Sequence, residues 1–503
     1  MKMVVVLVFM LSVALLCVQT LVAQTKRSPV KPRRVIFNCD GWSVFTDAHG
    51  SLDAWVENIF GPLEDSHVDA LFWCDGSGGN TARYDSDVLE PWGQRIGKTD
   101  PVLMKWIAEG NDPAKVVVRE AHQRGIDVFY SFRINDIHDS FESCAEEFPT
   151  YKAEHPEWMI GEGQPYGYPT ALKFDIPEVR AIKLAVINEL FEKWDFDGVE
   201  IDFMRGVPYF TPGTEPQNAH ILTEFLREVR QDLDQRGEER GRRIELAVRV
   251  DEALDICHLD GFDVESWIKE GLLDILVVGA GAGDISVEEF KELAAGTSVR
   301  IYACLEAYGS VGRYRPRSEE VRRALALNYW YQGADGIYTF NWFPHSPGRA
   351  YEASLLKEIG DPNAMAGKPL VFPAECHLTH LVRDYPHNWA HGVLPAELTE
   401  GQTVVVPIMV GEDLVAAAQQ HPLSRLELRV ECDNLAAGDS LAIALNGEGL
   451  LWQKRENGVI TVALTPDQVR HGGNHVSLRL ARHAPPTEGA VIVNILEIHV
   501  VYQ

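Results

Sequence analysis

Phe196-Asp197-Gly198-Val199-Glu200-Ile201-Asp202-Phe203 reads as a turn followed by a buried strand that carries two acids. Side chains alternate across a strand, so Glu200 and Asp202 share one face while Val199, Ile201 and Phe203 share the other. Burying charge in a strand flanked by apolar residues costs several kcal/mol unless partners or a function offset it. Folding alone rarely selects such a strand, so the stretch marks a site built into a sheet.

Outward from it, from about residue 33 to 345, short apolar runs alternate with helical patterns. The candidate strands are Arg34–Asp40, Ala70–Cys74, Asp127–Arg133, Gly198–Phe203, Ile244–Val250, Ile275–Val278, Arg300–Leu305 and Gly336–Phe340. Strands alternating with helices specify a parallel sheet. Eight of them predict a (β/α)8 TIM barrel with enlarged loops. Val179, Ile182, Val186, Leu190 and Trp194 recur at helical spacing, as do Leu222, Phe225, Leu226, Val229 and Leu233 before Gly237. These stripes are core-facing packing and carry no chemistry.

The barrel is expected over residues 33–359, with a Gly-, Pro- and Asp-rich linker over 360–373. Beyond it the pattern turns to period two, as in Leu426, Leu428 and Val430 or Val491, Val493 and Ile495, with turns such as Asn446-Gly447 between runs. Residues 374–503 therefore predict an antiparallel β-sandwich, a carbohydrate-binding-like or packing module. At the other end, Met1–Ala23 has one Lys2, an apolar centre and a Leu21-Val22-Ala23 site, the layout of a secretory signal peptide. That predicts a secreted or periplasmic protein with no membrane segment in its mature form. Seven dispersed cysteines remain after residue 23 without CxxC spacing, so neither a disulfide framework nor a zinc knuckle is expected. The net charge of −28 argues against nucleic acid and anionic membranes as partners.

Alternation within the barrel strands sorts the polar residues. Ser131, Arg133 and Asn135 share a face opposite Tyr130, Phe132 and Ile134. Arg249 and Asp251 oppose Leu246, Val248 and Val250; Glu306 lies with Tyr302 and Cys304; Asn38 and Asp40 lie together. Apolar faces pack on the surrounding helices, so the polar sets face the axis and gather at the strand C-terminal ends. The expected ring is Asp40, Arg133, Asn135, Glu200, Asp202, Arg249, Asp251 and Glu306. Opposed carboxylates are the equipment of glycoside hydrolysis, one protonating the leaving oxygen and the other attacking carbon or activating water. Strands four and seven lie on roughly opposite sides of the barrel, which makes Asp202 and Glu306 the expected catalytic pair. Glu200, one layer deeper, is open between a substrate-binding or supporting role and a structural pair with Arg133 or Arg249. Trp42, Trp73 and Trp342, the last beside Asn341, stand near strand ends where rings stack on sugars. No cofactor or metal is expected. His138-Asp139 lacks a second histidine at ligand spacing, and His377, His380, His387 and His391 lie beyond the barrel. Gly279–Gly283 lacks a phosphate-loop lysine.

Four stretches together resemble the bacterial family 10-like glycosyl hydrolases: Ser131-Phe132-Arg133-Ile134-Asn135-Asp136-Ile137-His138; Asp197–Arg205 followed by Pro208-Tyr209-Phe210; Val248-Arg249-Val250; and Asp263–Asp274 with Trp267 and Gly271. The resemblance implies a (β/α)8 fold and carbohydrate hydrolysis. Asp197–Asp202 is also similar to the chitinase family 18 run, Asp-Gly-x-Asp-x-Asp-x-Glu, but Met204 stands where that run has its catalytic Glu. In the large retaining clan a Glu at strand seven is catalytic, as Glu306 would be. In the α-galactosidase-like clan an Asp ending strand four is the nucleophile, as Asp202 would be. The expected function is a secreted glycoside hydrolase acting on a poly- or oligosaccharide, with the role of Asp202 open between nucleophile and acid/base. The alternative is a catalytically inactive glycan-binding barrel.

Overall fold

The computed structural model describes residues 29–309, 315–375, 387, 392–452, 454–456, 458–483 and 489–503. The segment read as a signal peptide, Cys376, His377, His380 and His391 lie outside them. Eight parallel strands close into a barrel: β1 (Val35–Cys39), β2 (Val68–Trp73), β3 (Asp127–Phe132), β4 (Gly198–Asp202), β5 (Glu245–Val250), β6 (Ile275–Val278), β7 (Arg300–Glu306) and β8 (Gly336–Phe340). Around the barrel the order is β1-β8-β7-β6-β5-β4-β3-β2. Each expected strand is present, with ends that differ by at most two residues.

Two apolar systems follow from the alternation. Outward residues such as Leu71, Val128, Val199, Ile201, Leu246, Val248, Ile301 and Leu305 pack on the helices. Inward ones, among them Ile36, Phe72, Phe129, Ala247, Val277, Tyr302, Cys304 and Tyr338, fill the lumen. Gly198 has no side chain because none fits: a Cβ there would lie 2.4 Å from the Glu245 carbonyl and 2.3 Å from the Phe129 ring. The N-terminal end of the lumen is plugged by Arg33, whose guanidinium bonds Glu245 at 2.8 Å and Asp127 at 2.8 Å. Its main-chain N–H donates to the Tyr302 hydroxyl at 3.0 Å. With the bottom closed by charge and the middle filled by rings, only the C-terminal mouth remains for chemistry.

The C-terminal part forms two antiparallel sheets. One joins β9 (Leu370–Pro373), β10 (Ala396–Leu398), β12 (Leu423–Asp433), β15 (Lys454–Glu456), β16 (Val459–Ala463) and β18 (Val491–Tyr502). The other joins β11 (Thr403–Val410), β13 (Ser440–Leu445), β14 (Glu448–Leu450) and β17 (Gly472–Arg482). The stretch read as a linker is partly ordered into these elements: Pro362–Met365 is helical and Leu370–Pro373 pairs with β18. Helix Glu319–Tyr331 receives the sheets, with Asn328 accepting from the Gly411 N–H at 2.7 Å. Cys39, Cys74, Cys144, Cys257 and Cys304 are free thiols, all but Cys144 buried. No helix among the described residues is long and apolar enough to cross a membrane.

Behind β7 and β8 the Arg322 guanidinium bonds Glu352 at 2.6 Å, both fully buried. The same carboxylate accepts from the Phe343 N–H at 2.7 Å and pairs with Arg349. Removing one partner of a buried pair strands the other charge and costs about 3–5 kcal/mol, whereas an apolar pair of similar volume is close to neutral. Glu352→Gln should therefore lose roughly that much in urea unfolding. Arg322→Met combined with Glu352→Leu should recover most of it.

Candidate active site

A ladder of hydroxyls rises through the lumen to the first acid. Asn38 Nδ2 donates to Ser131 Oγ at 2.9 Å, and Ser131 Oγ to Glu200 Oε2 at 2.5 Å. The Tyr338 hydroxyl donates to the same oxygen at 3.1 Å. Burial, then the charge of Asp202, push the Glu200 carboxyl up to about 8, against the pull of Ser131, Arg249 and Tyr338. One layer higher, Asp202 Oδ1 accepts the Met204 N–H at 3.0 Å and Oδ2 pairs with Arg249 Nη1 at 3.4 Å. Arg249 is level with Asp202 in the β4–β5 register and its guanidinium lies 3.8 Å from the Phe340 ring centre. That ring fixes the plane of the cation.

Across the mouth, Glu306 accepts the Tyr308 N–H at 3.1 Å and Asn341 Nδ2 at 3.2 Å. Burial raises its carboxyl, opposed by that N–H and by Arg249, Arg317 and Asn341. Asn341 has φ of 57°, a left-handed conformation that Asn tolerates better than most residues and that turns its amide onto Glu306. Glu200, Asp202 and Glu306 therefore share one cation, Arg249.

The other expected residues divide. Arg133 Nη2 bonds Asp40 Oδ2 at 2.9 Å, and Asp40 Oδ1 caps the helix Gly41–Thr46 through the Trp42 N–H. Burial works to raise the Asp40 carboxyl, but Arg133 carries it below its ordinary value. Asp251 stands at the end of β5 in a separate acidic group with Glu252 and Asp260. Burial and Asp260 hold Asp251 well above the carboxylate range, and burial holds Asp260 at about 7. His387 Nδ1 lies 2.6 Å from Asp260 Oδ1.

Three expected residues are elsewhere. Trp73 has the outward parity of Leu71 and packs edge-on to Trp55 and Tyr130, with ring centres 6.4 and 5.9 Å away. Trp342 is fully enclosed: its Nε1 donates to the Leu305 carbonyl at 2.9 Å and Arg322 covers its face at 4.5 Å. Asn135 lies beyond the end of β3, where alternation no longer holds. Its side chain is spent on main chain, accepting from Leu172 N at 2.8 Å and donating to Gly206 O at 2.9 Å. Gly206, at φ of 94°, permits that approach, since a Cβ would meet the Asn135 carbonyl at 1.6 Å.

The cleft itself borders residues that strand alternation could not flag. A cavity of about 220 Å³ is lined by Asp136, Ile137, His138, Phe141, Tyr168, Met204, Arg205, Gly206 and Val207. His138 Nδ1 bonds Asp136 Oδ1 at 2.6 Å, while Arg205 Nη2 lies 3.3 Å from His138 Nε2. Asp136, His138 and Glu147 offer ligand atoms within 4.8 Å of one another, a donor set suited to a divalent cation. Arg205 Nε stands 3.8 Å from Asp136 Oδ2 and supplies positive charge there already. Asp139 is not in that set, being bonded to Lys152 at 2.6 Å. The available signal was the Asp136-x-His138 spacing directly after β3, which folds Asp136 back onto the His138 N–H at 2.8 Å.

The class that the fold defines is a closed eight-stranded parallel barrel with buried carboxylates at its mouth. Residues 63–227 match the family model described as glycosyl hydrolase-like 10, in agreement with the resemblance read from the residues. A search of curated proteins finds no match. Among solved structures the chain is similar to the GH36 α-galactosidase AgaA of Geobacillus stearothermophilus, at 12% identity and TM-score 0.37, covering 94% of this chain and 56% of that one. It thus spans a little over half the length of that enzyme. It is also similar to the glycoside hydrolase domain of PgaB (BpsB) from Bordetella bronchiseptica, at 10% identity and TM-score 0.42, covering 66% and 99%.

Glu200 gives a pH test. Its carboxyl titrates near 4.5 in the unfolded chain and about 8 in the fold, so the fold holds the proton more tightly. The stability it contributes is fully present below pH 4.5 and is lost as pH rises toward 8. Glu200→Gln, which cannot ionise, should flatten the decline of urea midpoint across that window. An unchanged slope would sink the assignment.

Proposed function

We propose that this chain is a secreted glycoside hydrolase that cleaves O-glycosidic bonds of a poly- or oligosaccharide with Asp202 and Glu306. The observation that carries the reading is the convergence of Glu200, Asp202 and Glu306 on Arg249 at the open end of the barrel. Glu306, raised by burial, is the general acid that gives its proton to the leaving glycosidic oxygen. Asp202, whose described partners are both donors, supplies negative charge to the sugar carbon or to the attacking water. Glu200 keeps its proton beneath the pair, which spares Asp202 a second like charge. Arg133 with Asp40, Asn341 and Asp251 hold the acids and sugar hydroxyls in place. The leader-like Met1–Ala23 supports export, to a periplasm or beyond, and the terminal sheets serve as a packing or carbohydrate-binding module.

One observation favours the inactive glycan-binding barrel instead: Asp202 is fully buried in an ion pair with a fully buried arginine. Reducing-sugar release over a broad polysaccharide panel separates the two. Wild type should hydrolyse a glycan, with Asp202→Asn and Glu306→Gln each slowed at least about 10²- to 10⁴-fold. The alkaline limb of the wild-type pH profile should report loss of the Glu306 proton. Full activity in both variants would overturn the pair; glycan binding without release would establish the binder.

A further inference from the structure

On the β1–β2 side of the mouth a second constellation stands apart from the carboxylate pair. Arg83 is 2% exposed, and none of its three guanidinium nitrogens has a hydrogen-bond partner. Its guanidinium lies 4.4 Å from the Trp42 ring centre, 4.2 Å from that of Trp92 and 5.3 Å from that of Phe45. The Trp92 indole N–H is likewise buried without a partner. Donors therefore accumulate here with nothing to accept from them, a costly arrangement for a buried cation.

The neighbouring acids do not supply the missing counter-charge. Asp75, Asp100, Glu147 and Asp40 lie within electrostatic range of Arg83. Asp75 accepts the Ser77 N–H and hydroxyl and the main-chain N–H of Arg83, not its side chain. Asp100 caps helix Pro101–Ala108 through the Val102 and Leu103 N–H groups at 2.9 and 3.2 Å. Asp40 is bonded to Arg133 at 2.9 Å. Glu147 makes no hydrogen bond to Arg83, whose three guanidinium nitrogens are all without a partner. Arg83, lowered by burial to about 10, keeps its charge at pH 7.

The aromatic walls are fixed from the backbone. A Cβ on Gly41 would lie 2.2 Å from the Cys74 carbonyl and one on Gly76 2.5 Å from Trp42 N, so the turns after β1 and β2 meet main chain to main chain. Trp92 N donates to the Ala82 carbonyl at 3.0 Å, tying that indole to the strand of chain that carries Arg83. Trp42, two residues after Asp40, is 42% exposed and forms the solvent-facing side of the group.

We propose that Trp42, Arg83 and Trp92 form a subsite for an acidic sugar residue, the guanidinium taking a carboxylate or sulfate carried on the ring and the indoles flanking the ring's apolar face. A guanidinium fork matches planar oxyanions in bidentate fashion, and its strength rises where water is excluded. At a net charge of −28 the protein repels polyanions at large, so recognition of an acidic glycan requires a built cation of this kind. The proposal rests on the reading that the mouth binds carbohydrate and adds the substrate class.

The test is calorimetric titration of the full chain at 0.15 M salt, about an 8 Å screening length, with uronate-containing, sulfated and neutral tetrasaccharides of matched backbone. Wild type should bind an acidic probe at least about tenfold more tightly than its neutral counterpart, one such gap being 1.4 kcal/mol. A preference for uronate, for sulfate or for both identifies the source of the anion. Arg83→Gln should abolish the preference, acidic and neutral probes then binding alike. Should Arg83→Gln fail to fold, Trp42→Ala, at an exposed ring, should lose about tenfold for the acidic probe with circular dichroism unchanged. Equal binding of acidic and neutral probes, no binding of either acidic probe, a preference that survives Arg83→Gln, or acidic affinity unchanged in Trp42→Ala would each overturn the subsite. Neutral binding without acid preference leaves the hydrolase reading standing, since hydrolysis by Asp202 and Glu306 is scored separately.

Discussion

Arg249 is the charge on which the mouth of this barrel depends. Three carboxyl groups point into a lumen that is otherwise filled largely by rings and aliphatic side chains, with Asn38, Ser131 and the Tyr338 hydroxyl below Glu200, and Coulomb repulsion among the acids would open it if all were ionised and unpaired. Two effects prevent that. Arg249 neutralises Asp202 directly at 3.4 Å and acts on Glu200 and Glu306. Burial then keeps Glu200 protonated to about pH 8, which spares Asp202 a second like charge beside it. Phe340, 3.8 Å from the guanidinium, holds the cation in one plane. The site is thus one cation among three acids, of which burial raises Glu200 and Glu306, arranged by burial as much as by pairing.

That economy works because the remainder of the lumen makes no demand on the mouth. Arg33 closes the bottom with its own acids, Glu245 and Asp127, at 2.8 Å. The Phe72, Phe129 and Tyr338 rings fill the middle, with Phe72 and Phe129 stacked at 4.4 Å. Charge therefore occupies two separate layers, one at each end of the lumen, insulated by aromatic volume. Arg322 and Glu352 repeat the structural solution behind β7 and β8. Their enclosure shows that a buried ion pair in this protein is not by itself a sign of chemistry. What distinguishes Arg249 is its place at the strand ends, where side chains meet an opening.

How much of this was legible in the sequence follows from periodicity. Within a strand, parity is strict, so Glu200, Asp202, Arg249 and Glu306 were placed on the axis from spacing alone. The same rule correctly applied would have turned Trp73 outward, since Phe72 before it fills the lumen. Past the last strand residue the rule lapses, and Asn135 and Trp342 show the consequence: both are absorbed by main-chain carbonyls in the turns that follow. Loop residues were illegible for the converse reason. Asp136, His138, Arg205 and Arg83 converge through turns whose course depends on tertiary contacts such as the approach of Gly206 to the Asn135 carbonyl. No local pattern records such a contact, so the ring of acids was readable and the walls of the cleft were not.

The walls give the mouth an electrical direction. From β1 round to β4 stand Arg83, Arg133 and Arg205, the last two beside Asp40 and Asp136, while the β5 side carries Asp251, Glu252 and Asp260. Burial pushes the Asp251 and Glu252 carboxyls well above their ordinary values, which favours the protonated form on that side. A protonated carboxyl both donates and accepts, which suits hydroxyl groups; a guanidinium only donates, which suits an oxyanion. On the proposed reading, a chain lying across the mouth would be bound in one direction, its acidic unit toward Arg83 and its hydroxyl-rich unit toward Asp251. The bond between them would then pass over Asp202, Arg249 and Glu306, where the one mobile proton of the site is held.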